Sequence, residues 1–428
     1  MTARRLAFDV LMKMHSGAYS NISLDAALSR AKDMDAREAA LAANLVYGVT
    51  ERRITLDYQL EGLLDKPIGK LKAEVLTALR MGAYQIIFCD RIPDSAAVNE
   101  SVELVKKSGC AFAAGLVNAV LRKVISRGLS LPDCIGTAYY MSIKYSCEKW
   151  IVQELKKEYG ESAEKILMHS LETPPISIRV NTLKTDTDSL LKKLLAEEIE
   201  AEKSYISPSC LNIIKTGKAI EKLDSFKKGL FHVQDISCQL CVEALNPMPG
   251  ETVLDLCAAP GGKSFTAAQI MKNKGVIKAF DIYPHKIDLI DAGAARLGTD
   301  IIMPCVNDAS VFRPTLTGAD RVLCDVPCSG FGIMARKPEI KYKSYEEVEL
   351  LPALQLKILM NGARYLSSGG TLVYSTCTLR RAENEEVCEK FLSQSPDFKK
   401  KGEYVTLLPG TDGCDGFFYA VFEKVKTE

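Results

Sequence analysis

The chain has 428 residues, 47% hydrophobic and 25% charged, with 55 Lys/Arg against 54 Asp/Glu. That length allows two or three domains with real cores, and a net charge of +1 excludes binding of nucleic acid through a global positive field. Fourteen cysteines behind an amphipathic, non-secretory N-terminus suit a reducing cytoplasm, and no apolar run approaches the roughly 20 residues of a membrane span.

Residues 1–135 read as an all-α domain carrying 18 Lys/Arg against 15 Asp/Glu. Apolar positions recur at helical spacing through Leu71, Val75, Leu79, Ala83 and Ile86, then through Leu116, Val117, Val120, Leu121 and Val124. Gly109 and Gly128 stand where helices should stop. Residues 136–228 read as a small α+β linker domain. Its helix over 146–171 ends before Pro174-Pro175, since proline lacks the donor a helix needs; a strand over 176–181, a helix over 188–198 and a strand over 211–215 follow.

From residue 229 onward, strand and helix patterns alternate. Strands are expected at 252–257, 275–280, 301–306, 320–325 and 370–375, with helices at 263–272, 284–297, 351–365 and 384–393. A last pair, 403–408 and 417–425, reads as an antiparallel hairpin. This order predicts an α/β fold, a doubly wound, mostly parallel seven-stranded sheet with an antiparallel terminal hairpin.

Chemistry concentrates at the expected carboxyl ends of these strands, where open parallel sheets place ligands. The first strand runs into Cys257-Ala258-Ala259-Pro260-Gly261-Gly262-Lys263, a turn whose glycines let the backbone pass close to a ligand. A phosphate-binding loop would need glycine at Cys257, and the dinucleotide G-x-G-x-x-G spacing is absent. Asp281 ends the second strand, placed for ribose hydroxyls, and Asn307-Asp308 follows the third, placed for an adenine amine. Ribose and adenine recognition without a phosphate loop points to S-adenosylmethionine. Asp325-Val326-Pro327-Cys328 and Ser375-Thr376-Cys377 end the next two strands, two thiols and an acid in position for covalent catalysis.

Cys238-Gln239-Leu240-Cys241 has no second pair or nearby histidines to complete a zinc site. It sits in an apolar helical run and reads as core, so no metal is expected.

These motifs resemble the RNA cytosine-C5 methyltransferases, and segments such as Arg80-Met81-Gly82-Ala83-Tyr84-Gln85 and Gly115–Arg122 resemble the NusB-type RNA-binding domain. Over essentially the whole chain the combination is similar to the branch acting on 16S ribosomal RNA. The resemblance implies a Rossmann-like, S-adenosylmethionine-dependent methyltransferase domain (229–428) behind a NusB-like domain (1–135) and the linker (136–228). It implies Cys377 as the nucleophile toward cytosine C6, Cys328 in product release and Asp325 in cytosine recognition and protonation. Cys257, Ala258, Ala259, Pro260, Gly261, Gly262, Lys263, Asp281, Asp308 and Asp325 would line the cofactor site.

Arg336, Lys337, Arg179 and Asn181 are candidate RNA contacts, and Arg52, Arg53, Arg122 and Lys123 candidate phosphate contacts. A cytoplasmic monomer with ribosomal RNA as partner and no membrane is expected. Three other readings stand beside this one: a non-catalytic NusB-like assembly factor, an enzyme acting on tRNA, and the DNA-enzyme arrangement with Cys328 as nucleophile.

Overall fold

Short polar side chains open the N-terminal helices. Thr2 accepts from the Arg5 amide ahead of Ala3–Met14, and Asp35 accepts from the Arg37 and Glu38 amides ahead of Ala36–Glu51. Each satisfies an amide that the first turn leaves unpaired. The apolar faces of these helices close with Arg53–Glu61, Ala73–Phe88, Asp94–Val105 and Ala114–Arg127 on one core containing Leu6, Leu45, Leu56, Leu79 and Leu121. Contrary to expectation, the run Asp94–Arg127 is long and apolar enough by composition to cross a bilayer. It is interrupted at Gly109 (φ 80°) and buries Val98, Val105, Val117 and Leu121 in the helical core.

The computed structural model describes residues 1–15, 20–31 and 34–425, without the side chains of residues 21 and 22. It divides into two units, one of Met1–Glu172 with Met334–Ser344, the other of Thr173–Ile333 with Tyr345–Glu428. The dividing points differ from the expected 136 and 229. Ala138–Tyr145, Lys149–Tyr159 and Ser162–His169 fold with the first unit. The last two replace one expected helix, broken at Gly160, whose φ of 55° lies in the left-handed region that glycine tolerates.

The excursion Met334–Ser344 is built into the helical core. Lys341 is fully buried and its amine donates to the Tyr145 carbonyl at 3.2 Å, while Tyr342 lies 3.8 Å beneath the Arg53 guanidinium. Arg53 thus makes a cation–π contact with Tyr342. Arg52 lies over the Phe88 ring at 4.7 Å.

The second unit carries two sheets. In the smaller, β1 (Ile176–Val180), β2 (Glu200–Lys203), β3 (Cys210–Lys215) and β4 (Phe231–Val233) run in the order β2-β3-β1-β4, with antiparallel pairing. In the larger, β5 (Thr252–Asp255), β6 (Val276–Asp281), β7 (Ile302–Val306), β8 (Ala319–Asp325) and β9 (Leu366–Thr376) are parallel in the order β9-β8-β5-β6-β7. Antiparallel β10 (Phe398–Lys400), β11 (Val405–Leu407) and β12 (Phe417–Lys424) extend it past β9. Among the described residues the sheet has eight strands, the expected seven and the short β10. The chain proceeds outward from β5 to β7, then crosses back to β8, so the order reverses between β5 and β8. Ligands bind at the strand ends beside such a reversal.

Arg179 and Asn181 do not face a nucleic acid; both are buried, at 4% and 0% exposure. The Arg179 guanidinium donates to Gln269, Gln239 and Glu243 at 3.1–3.3 Å. The Asn181 amide donates to the Gly229 and Leu297 carbonyls, each at 2.8 Å. They fasten the small sheet to the helices of the large one, and their burial keeps them from a nucleic-acid backbone. Arg179→Ala should therefore lower unfolding stability by about 2–3 kcal/mol, read as a shift in denaturant midpoint, with RNA affinity unchanged. Weakened RNA binding at parental stability would contradict this role.

Candidate active site

The loop after β5 turns into the helix Gly262–Ile270 at Gly261, whose φ is 109°. A Cβ there would fall 2.4 Å from the Phe265 ring, so glycine is required on both counts. At the end of β6, Asp281 is buried and accepts from the Tyr283 amide at 3.1 Å, with the Lys286 amine 3.6 Å away. After β7, Asp308 accepts from the Ser310 amide at 2.8 Å. Its neighbour Asn307 is 1% exposed, and neither atom of its side-chain amide has a hydrogen-bond partner within the described protein. A buried amide left with both atoms unpaired is costly. This orphan, beside the glycine turn and Asp281, fits a site made for an adenosine-type ligand.

The cysteine motifs follow from the β8–β9 register, which pairs Asp325 with Ser375. Asp325 is held at both oxygens: Oδ1 accepts from the Ser375 hydroxyl at 2.8 Å and Oδ2 from the Lys263 amine at 2.7 Å. Lys263 also lies 3.3 Å from the Cys238 sulfur and 5.1 Å above the Phe417 ring. Burial opposes its charge, but Asp325 and the thiols of Cys238 and Cys241 hold its pKa well above the usual lysine value. Expected as a cofactor-loop residue, Lys263 is also the counter-ion of the strand-end acid. Cys238, expected as core, touches that amine, and burial pushes its thiol up to about 12.

The sulfurs of Cys328 and Cys377 stand 3.2 Å apart. The hydrogen bond with Cys377, reinforced by burial, keeps the Cys328 thiol well above its ordinary pKa. The Gly332 amide donates to the Cys377 carbonyl at 2.9 Å and the Val326 amide to the Ser375 carbonyl at 3.1 Å, tying the two loops together. Asp325, Cys328, Cys377, Lys263 and the glycine turn thus share one strand-end region. Arg336 and Lys337 lie on the Met334–Ser344 excursion of the other unit, Arg336 half-buried and Lys337 exposed. Among the described residues, no group of three His, Cys, Asp or Glu side chains is arranged for a metal ion.

Comparison with known proteins gives this geometry its class. Residues 242–423 match the family described as 16S rRNA methyltransferase RsmB/F, residues 1–126 the NusB family, and residues 148–219 the RsmF/B-like ferredoxin-like domain. The chain is 38% identical to the probable ribosomal RNA small subunit methyltransferase B of Bacillus subtilis, with 99% of each chain covered. It is 32% identical to the Synechocystis protein of the same name, covering 99% of this chain and all of that one. A methyltransferase homologue from Pyrococcus horikoshii matches with a TM-score of 0.61 at 26% identity, over 68% of this chain and 99% of its own. The fold is that of a methyltransferase. The chain belongs to the ribosomal RNA small subunit methyltransferase B family.

One buried acid gives the site a pH signature. Asp255, at the end of β5, is 1% exposed; Oδ2 accepts from the Ser264 hydroxyl at 2.7 Å and Oδ1 has no partner in the described protein. Burial raises its pKa from 3.8 to about 7, equivalent to about 4 kcal/mol. Between those values the folded protein holds a proton that the unfolded chain has released. Stability therefore falls as pH rises through that window and levels off above it. Asp255→Asn should flatten this slope and leave the variant more stable than the parent at pH 8, measured by denaturant unfolding across pH. Parallel curves for the two proteins would contradict it.

Proposed function

We propose that this protein transfers the methyl group of S-adenosylmethionine to C5 of a cytosine in 16S ribosomal RNA, with Cys377 as covalent nucleophile. The observation that carries the reading is the 3.2 Å approach of Cys328 to Cys377 beside an Asp325 paired with Lys263. The cofactor residues are Cys257–Lys263 as the turn, Asp281 toward ribose, and Asp308 with the unpartnered Asn307 toward adenine. When bound, S-adenosylmethionine supplies an electrophilic methyl on a sulfonium.

Cytosine C5 is a poor nucleophile until a sulfur adds to C6 and makes the ring an enamine. The raised pKa of Cys328 supports a division of roles in which its S–H donates to the Cys377 sulfur, while Cys377 gives its own proton to solvent and attacks as the thiolate. Asp325 faces the N3/N4 edge. Lys263, kept protonated by its partners, furnishes the proton that Asp325 relays to N3 as charge develops there. After methylation, solvent water takes the C5 proton, the Cys377–C6 bond breaks with its electron pair returning to the Cys377 sulfur, and the N3 proton goes back through Asp325 to Lys263. Cys328 then stabilises the departing thiolate by donating its S–H.

For the RNA, the exposed Lys337 and half-buried Arg336 remain proposed contacts. Arg122, Lys123, Ser126 and Arg127 line a shallow, open surface depression suited to phosphates. Cys377→Ala should abolish methylation without forming an adduct, whereas Cys328→Ala should accumulate a covalent RNA–protein species on denaturing gels. Retained turnover in Cys377→Ala, with attack lost in Cys328→Ala, would reverse the two roles.

A further inference from the structure

Behind the two thiol loops lies a fully buried carboxylate that the mechanism above does not use. Glu383 Oε2 accepts from the Ser329 amide at 2.9 Å and from the Gln355 side-chain amide at 2.8 Å, while Oε1 accepts from the Arg380 guanidinium at 3.1 Å. Ser329 adjoins Cys328, and Gln355 also donates to the Pro327 carbonyl at 2.9 Å, so Oε2 grips the Cys328 loop on both flanks of the thiol. Arg380 belongs to the segment just beyond Cys377, and the Ser329 and Thr378 hydroxyls meet at 2.6 Å. One carboxylate is thus bonded to both thiol-bearing loops. Burying such a charge where an apolar side chain could pack is unfavourable unless its lone pairs are used. Its return here is geometry rather than stability.

We propose that Glu383 is a positioning residue that sets the separation between Cys328 and Cys377. The proposal rests on the functional reading of that pair, but the spacing can be measured without RNA or methyl donor. Treated with diamide, the two thiols give up two protons and two electrons. The diazene becomes a hydrazine and a disulfide joins the sulfurs, at a rate that depends on how often they meet.

In the full-length protein, Glu383→Gln cannot form the ion pair with Arg380 and turns an NH₂ toward a donor. Appearance of the Cys328–Cys377 disulfide, followed by non-reducing peptide mass spectrometry, should slow by about tenfold. With RNA and methyl donor present, kcat should fall while KM for RNA holds, and the covalent adduct should accumulate as the Cys328 thiol drifts from the departing sulfur.

Gln355→Leu, which removes one donor to the same oxygen, should shift both readings less and in the same direction; it serves if Glu383→Gln does not fold. Parental disulfide rates in a folded Glu383→Gln would overturn the proposal. Slowed disulfide formation with no adduct in any variant would keep the positioning role and remove the covalent mechanism instead.

Discussion

Two cysteines 49 residues apart in sequence have sulfurs 3.2 Å apart, and the parallel pairing of β8 with β9 makes this possible. The register matches Cys324 with Tyr374 and Asp325 with Ser375, so both strands end level and their loops leave side by side. A one-residue slip would turn the side chains of one strand to the opposite face, and Asp325 would lose its Ser375 partner. The register is secured by burial: Val322, Cys324, Leu372 and Tyr374 all lie in the core. Hydrophobic packing of a sheet interior thereby fixes polar chemistry at its edge.

On that scaffold the electrostatics are arranged in pairs. Lys263 comes from the first turn of the helix after β5 and Asp325 from the end of β8, so their 2.7 Å contact spans the point where strand order reverses. A largely buried ammonium would tend to lose its proton alone; beside Asp325 it keeps it. The same reasoning separates the thiols. Cys328 is held protonated by Cys377 and by burial, which sets two chemically identical side chains apart. The glycine turn, Asp281 and Asn307 border the same strand-end edge as Asp325.

Much of this was legible before any coordinates, because the large sheet is written in strong local patterns: apolar strand cores, helix starts and acids at strand ends. What escaped was short or distant. β2, β4 and β10 span three or four residues, too few for alternation to show. Arg179 and Asn181 looked like surface polar groups because their partners, Gln269 and Leu297, lie 90 and 116 residues onward. Lys263 was assigned to the cofactor loop, since its partner is 62 residues away. The partners of Glu383 were not legible either: its bonds to Ser329 and Gln355 cross 54 and 28 residues. Local chemistry announces itself in sequence, whereas pairing made by topology does not.

The account stands on a bond between the Cys377 sulfur and cytosine C6, and RNA carrying 5-fluorocytosine tests it most directly. Fluorine at C5 cannot leave as a cation, so an enzyme that attacks C6 and methylates C5 is trapped on its substrate. Digestion and peptide mass spectrometry of that species should find the nucleotide attached to the peptide containing Cys377. A nucleotide on Cys328, or full methyl transfer to unmodified RNA with no trapped species at all, would contradict it.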